Sequence, residues 1–157
     1  MKKTISIIIS IAMCAMLASC GGVKNEVSDT EQPTLIDTMS LEEKVGQILF
    51  VRCVDDEQTD DLMSIKPGGI LMFGRDFEGL TKDEVKEKIQ SYQDKSDIPL
   101  IIGADEEGGT VVRVSSNPNL APEKFKSPQE IYNEGGMDAA VENATEKSEL
   151  LLSLGVN

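Results

Sequence analysis

IPLIIGADEEGGTVVRV, residues Ile98 to Val114, carries more information about this chain than any other segment. An apolar run ends abruptly in Asp105, Glu106 and Glu107. A double glycine follows, and Arg113 closes the segment after a short β-branched stretch. An apolar run of this length bounded by a turn signal predicts a buried strand. Three carboxylates at its carboxyl end then sit where parallel α/β folds place their binding chemistry. Gly108 and Gly109 permit backbone angles and close approaches that a Cβ resists.

Working outward, two more strands and several helices fall into place. GQILFVRC (46 to 53) predicts a first strand, GILMFGRDF (69 to 77) a second and PLIIGA (99 to 104) the third. Ser40 with Glu43 and Thr81 with Glu84 have capping-box spacing, and Val85, Ile89 and Tyr92 follow at helical spacing. Asp60 to Lys66 is weakly helical and ends at the break Pro67-Gly68-Gly69. Downstream, a long loop carries Asp105 through Asn119. Ser127-Pro128-Gln129-Glu130 offers an N-cap, a proline at the first helical position and an acid in the first turn. Met137 to Leu154 predicts a helix with Ala140, Ala144, Leu151 and Leu154 on one face, capped by Gly155. Val156-Asn157 begins a further element. Strand and helix alternate three times, the pattern of an α/β fold with a parallel sheet. A (β/α)₈ TIM barrel typically takes ~250 residues, so the expectation is about the first three β/α units, cut before strand 4. Open sheet edges and an uncovered apolar face then predict no cooperative unfolding of the isolated chain.

The chain has 157 residues, a net charge of −13 and no histidine. A polyanion lacks the cations that displace counterions from phosphate backbones, which argues against a nucleic-acid partner. Residues 1 to 19 stand apart: Lys2 and Lys3 precede an apolar stretch, Ile5 to Leu17, too short to span a bilayer comfortably. This predicts a secretory signal peptide. Leu17-Ala18-Ser19-Cys20 resembles the lipobox of bacterial lipoproteins, which implies cleavage before Cys20 and lipidation of its thiol. The chain would then be held at the extracytoplasmic side of a bacterial membrane, in the cell envelope. Residues 20 to 38 read as a lipid-anchored flexible linker, and 39 to 157 as the folded domain. Cys14 leaves with the signal, so Cys53 stands alone. It reads as a small buried residue rather than a nucleophile, which would want a histidine partner.

The chemistry-bearing candidates are the polar groups at strand ends: Arg52, Arg75 with Asp76, and the group Asp105 to Arg113. Asp105 and Arg113 flank a glycine-bent loop. Together they suit a polyol, because carboxylate acceptors and guanidinium donors match vicinal hydroxyls. The alternative is a structural ion pair between them. The acid triplet also admits a glycosidase acid and base, but neighbours in an extended chain point to opposite faces, which separates Asp105 from Glu106. A metal site has oxygen ligands to draw on, yet the acids follow no EF-hand pattern and no histidine is available. No metal and no cofactor is expected.

MSLEEKVGQILFVR (39 to 52), PGGILMFGRDF (67 to 77) and IPLIIGADEEGGTVVRVS (98 to 115) together resemble the N-terminal domain of glycoside hydrolase family 3. Asp-Glu-Glu-Gly-Gly, FKSPQEIY and the closing LLSLGVN are similar to its β-N-acetylhexosaminidase branch. The resemblance implies a (β/α)₈ barrel that removes terminal β-linked N-acetylglucosamine from peptidoglycan fragments or chitin-type oligosaccharides, with retention. It further implies that Asp105 accepts hydrogen bonds from sugar hydroxyls in the −1 subsite and that Arg113 assists. Thr110 stands where many relatives carry arginine. The branch's histidine acid/base, Lys-His pair and aspartate nucleophile match nothing in residues 1 to 157, so no catalytic residue is expected in this chain and the chain alone is expected to be inactive. The competing expectation is a non-catalytic, surface-anchored sugar-binding lipoprotein or a decayed gene remnant.

Overall fold

The computed structural model describes residues 34–52 and 56–157, and the backbone alone at residues 56 and 57. The elements run α1 (Leu35–Thr38), α2 (Leu41–Gln47), β1 (Phe50–Arg52), α3 (Asp56–Ser64), β2 (Gly69–Met72), α4 (Gly74–Phe77), α5 (Lys82–Gln93), β3 (Ile101–Ala104) and α6 (Pro128–Leu154). The three strands form one parallel sheet in the order β1-β2-β3. Val51 is in register with Ile70, and Ile70 with Ile102. This is the parallel α/β arrangement that the alternating pattern predicts. The described strands form an open sheet.

Strand alternation divides that sheet into two unlike faces. Val51, Ile70, Met72, Ile102 and Ala104 point to one side, where α5 and the end of α6 cover them. Ile70, Ile102, Val85 and Leu154 are fully buried there, and Phe77, Val114 and Leu120 complete the core. Burying a side chain of this size contributes about 1.5–3 kcal/mol, so this one layer supplies most of the domain's cohesion. Phe50, Arg52, Gly69, Leu71, Ile101 and Gly103 occupy the opposite face. Nothing covers it among the described residues: Phe50 is 50% and Ile101 60% exposed. The Phe50 ring lies over Gly69 and Gly103, within 2.5 and 2.6 Å of where a Cβ on each would stand.

Caps explain most of the helix boundaries. Ser40 with Glu43, Thr81 with Glu84 and Ser127 with Glu130 all form reciprocal capping boxes, the hydroxyl accepting from the third residue's N–H and that residue's carboxylate accepting from the cap's N–H. Gly155 ends α6 in the left-handed region at φ 93°. The long last helix is interrupted by non-helical geometry at Gly135 and Gly136, which separates the two helical segments read from Ser127 and from Met137. After Gly155 the chain meets the sheet. Asn157 donates its N–H to the Ile102 carbonyl at 3.1 Å, and its Oδ1 accepts the Ile102 N–H at 3.0 Å.

Several element boundaries differ from the reading of the sequence; the third strand, for one, begins at Ile101. Gly46 and Gln47 belong to α2, and β1 is only three residues long. Gly46 is held in the helix by a close approach: a Cβ there would stand 2.1 Å from the Ile65 carbonyl oxygen. The second strand stops at Met72, because the Asp76 carboxylate accepts the Phe73 N–H at 2.8 Å and turns the chain into α4. The helix expected from Asp60 begins at Asp56. Within the expected linker, residues 35–38 form one helical turn. The expectations for the signal peptide, Cys20 and Cys53 lie outside the described residues.

Candidate functional site

The carboxyl ends of three parallel strands bring Arg52, Phe73 and Asp105 to one rim. Arg52 is the last residue of β1, Phe73 follows Met72 of β2, and Asp105 follows Ala104 of β3. By the register, all three belong to the alternation that faces the uncovered side. The Arg52 guanidinium stacks on the Phe73 ring, 4.1 Å from its centroid. Arg113 arrives from the loop after β3. Its guanidinium carbon lies 5.8 Å from the same centroid, and its Nη2 is 3.8 Å from Asp105 Oδ2.

The loop that carries Arg113 is built around a buried carboxylate. Glu106 is 6% exposed. One oxygen accepts the N–H groups of Arg113 and Val114 at 2.7 and 2.6 Å. The other accepts the Ser115 N–H at 3.3 Å and the Ser115 hydroxyl. Ser115 Oγ in turn accepts the Phe125 N–H. An anion ringed by four donors is a stable way to bury charge without a cation, since each donor offsets lost hydration. Gly108 and Val111 exchange backbone hydrogen bonds, and Gly109 occupies the first central position of that turn at φ 65°, the placement of a type II′ hairpin turn. Gly108, at φ 101°, packs so closely that a Cβ would meet the Lys126 carbonyl oxygen at 2.2 Å. Lys147 of α6 ties the loop down by donating to the Glu107 carbonyl at 2.9 Å.

Asp105 and Arg113 are therefore brought together, while Glu106 turns away from them into the protein, as alternation requires. Their 3.8 Å separation is an ion-pair approach without a hydrogen bond. The Asp105 side chain is 44% exposed and the Arg113 side chain 27%. The Nε of Arg113 is buried without an acceptor. A partly exposed carboxylate beside a partly exposed guanidinium can receive and donate hydrogen bonds to one hydroxylated ligand.

Asp76 is not part of this rim. Its carboxylate is occupied by the Phe73 N–H and by Lys88 at 3.2 Å, 6% exposed, so it shapes the turn after β2. Arg75 lies on α4, exposed. Phe73 was not singled out by sequence reasoning. Its signal was its parity with Leu71, which puts it on the face of Arg52. At the opposite, amino-terminal end of the strands lies a cavity of about 310 Å³ lined by Glu43, Gln47, Lys66, Lys95 and Asp97. Lys66 there pairs with Glu43 and Asp97, and Lys95 pairs with Asp60, so its charges are spent on tying the turn before β2 to α2 and the chain after α5 to that turn and to α3. Among the described residues no three histidine, cysteine or acidic side chains converge as metal ligands.

A comparison with curated proteins finds no significant match. The model of the glycosyl hydrolase family 3 N-terminal domain matches residues 40–157, which span every strand and the whole rim described above. With an open parallel sheet, a carboxylate and a guanidinium at its carboxyl-end rim, and that match over most of its length, the chain belongs to glycosyl hydrolase family 3.

Proposed function

We propose that this chain supplies the substrate-holding part of a β-N-acetylhexosaminidase, which removes terminal N-acetylglucosamine from peptidoglycan fragments or chitin-type oligosaccharides by a retaining route. The observation that carries the proposal is Asp105 beside Arg113 on the carboxyl-end rim of the sheet. Asp105 accepts from vicinal sugar hydroxyls, and Arg113 donates to a sugar oxygen, each bond charge-assisted. Glu106 keeps Arg113 in place through its backbone. The uncovered face below the rim is, on this reading, the lining of a (β/α)₈ barrel whose mouth is the site.

Retention needs a nucleophile and a proton donor on opposite sides of the glycosidic bond. The branch's donor is a histidine, and this chain has none. The proposal is therefore that residues 1 to 157 bind the sugar and do not cleave it, with no cofactor. Cys20 is the proposed point of lipid attachment, which places the domain on the extracytoplasmic side of a bacterial membrane.

The test is a titration of the purified chain with N-acetylglucosamine, followed by amide chemical shifts, alongside an assay with an aryl N-acetylglucosaminide. Saturable shifts at residues 105–115, lost on Asp105→Ala, with no hydrolysis, are the expected result. Losing charge-assisted bonds to the sugar should weaken binding by about tenfold or more. Hydrolysis by the chain alone refutes its assignment as the binding half. Absence of any shift refutes the sugar site.

A further inference from the structure

The hairpin that leads to Arg113 has an anchor on the last helix. Lys147 of α6 donates to the Glu107 carbonyl at 2.9 Å, a contact between residues 40 apart in the chain. The same ammonium lies 5.3 Å from the centroid of the Phe125 ring, inside the ~6 Å range over which a cation is attracted to an aromatic face. Among the described residues no carboxylate forms an ion pair with it. Phe125 belongs to the returning arm of the loop. Its carbonyl accepts the Gly109 N–H at 2.8 Å, and its own N–H donates to Ser115 Oγ at 3.2 Å. One cation therefore touches both arms, the outgoing one at Glu107 and the returning one at Phe125.

We propose that Lys147 is a positioning residue for the sugar site: by fixing the Glu107–Gly108 peptide plane it holds the hairpin in the form that sets Arg113 beside Asp105. This rests on the sugar-binding reading above and deepens it, naming a residue outside the site that sets the site's affinity. A trans peptide unit is planar, so its C=O and N–H point in opposite directions. The Glu107 C=O faces Lys147, and the Gly108 N–H of the same unit donates to the Val111 carbonyl at 3.0 Å. Turning that plane over breaks both bonds at once. Glycine makes the turn-over accessible, because Gly108 sits at φ 101° and has no Cβ to restrict rotation. The ammonium selects one orientation, since a charged donor binds a carbonyl roughly twice as strongly as a neutral one. Glu106 holds the residues after the turn, Arg113 to Ser115, whereas Lys147 holds the turn itself. Asp105 follows directly on β3 and stays with the sheet, so Arg113 is the partner that a misplaced plane carries away.

The experiment titrates N-acetylglucosamine into the full chain and follows amide chemical shifts in the wild type, Lys147→Met and Lys147→Arg. Methionine keeps an unbranched apolar stem and loses the ammonium, while arginine keeps a cationic donor. Apparent affinity falls in proportion to the fraction of molecules whose loop is already binding-competent. Lys147→Met should bind about fivefold more weakly, a competent fraction of about one-fifth, and Lys147→Arg should stay within about twofold of the wild type. Because the sugar selects the competent loop, the Gly108 and Gly109 shifts of Lys147→Met should differ from wild type in the free chain and converge on it at saturation. Hydrogen exchange of the Ile101 and Ile102 amides, which bond within the sheet region, should change less than about twofold. Unchanged affinity in Lys147→Met overturns the proposal, as does failure of arginine to restore binding. Free-state shifts at Gly108 and Gly109 that match wild type also overturn it, and so does faster exchange at Ile101 and Ile102 in step with the lost affinity, which marks general loosening. Absence of binding by the wild-type chain overturns the sugar-binding reading itself, and the positioning role with it.

Discussion

Replacing Glu106 tests whether one buried carboxylate holds the site loop in shape. Glu106→Ala leaves the N–H groups of Arg113, Val114 and Ser115 and the Ser115 hydroxyl without their acceptor. Hydrogen bonds to a charged group contribute about 1.5–3 kcal/mol each, but a shared acceptor is not additive and the carboxylate's own desolvation offsets part of the gain. A loss of ~3–5 kcal/mol for Ala is expected on those grounds. Glu106→Gln keeps the volume and one acceptor oxygen while turning an amide toward donors, so about 2 kcal/mol is the better test. The bond from Arg113 to Val114 is a tryptic site whose two flanking N–H groups both donate to Glu106. Cleavage of a transiently opened loop follows its opening equilibrium, so ~2 kcal/mol corresponds to roughly 30-fold faster cutting there. Cutting after Lys86, inside α5, reports an opening that Glu106 does not control and should change less than about threefold. Mass spectrometry of timed digests reads both. A rise below about threefold after Arg113, or an equal rise after Lys86, refutes the assignment of the loop's order to this carboxylate.

Gly68→Ala and Gly103→Ala should differ sharply, although both add one methyl to the sheet region. At Gly68 the new Cβ meets the Gln47 carbonyl oxygen at 2.0 Å, in backbone that cannot yield, whereas at Gly103 it meets the tip of the half-exposed Phe50 ring at 2.6 Å. Amide hydrogen exchange in the sheet should speed up by roughly 30-fold or more for the first and by less than about fivefold for the second. The pH dependence of helix content follows from the caps. Hydrogen bonds hold the carboxyl groups of Glu43, Glu84 and Glu130 below the usual value of 4.5, from Lys66 for Glu43, from the Thr81 N–H for Glu84 and from the Ser127 hydroxyl for Glu130. Their contribution is present above 4.5 and is lost as pH falls through their lowered values. Lys66 and Lys126 are raised above 10.5 by the hydrogen bonds they donate to Glu43 and Glu134, so theirs is present below 10.5 and is lost as pH rises through the raised values. Circular dichroism at 222 nm should thus be flat between those limits and fall on both sides; a decline beginning near neutrality contradicts this. Cys20→Ala should abolish incorporation of labelled fatty acid into the chain, and unchanged labelling refutes lipidation at that thiol.

The architecture was legible where a signal is local and repeated. Apolar runs ending in Gly, Arg or Asp marked three strands, and hydroxyl-to-glutamate spacing marked three helix starts, because caps act within four residues. Boundaries failed where a distant contact won. Gly46 and Gln47 look like strand by pattern, but Gly46 is pinned in α2 by the loop at Ile65 and Lys66, and the Gln47 side chain donates to the Lys66 carbonyl. The turn at Phe73 depends on Asp76 reaching back three residues, which a run of apolar residues ending in a charge does not reveal. Asp105 and Arg113 were legible as a pair, since a two-glycine turn brings its flanks together.

The rest of the site follows from parity in a way that one strand cannot show. Along β3 alone, Asp105 and Glu106 are equivalent acids, and nothing local says which faces the core. Once β2 is beside it, Ile70 and Met72 define the buried side with Ile102 and Ala104. Asp105 must then share the open side with Leu71 and Phe73, and Glu106 must turn inward. That inward turn is costly for a charge unless donors are waiting. The hairpin through Gly108 and Gly109 supplies them, returning the chain so that three consecutive N–H groups meet the carboxylate. Glycine at 108, burial of Glu106 and placement of Arg113 are thus one requirement. A Cβ at Gly108 would push the turn off the Lys126 carbonyl, withdraw the donors from Glu106 and carry Arg113 away from Asp105. Loss of the sugar grip in a Gly108→Ala chain that keeps both Asp105 and Arg113 is the consequence this coupling demands, and retained binding would break it.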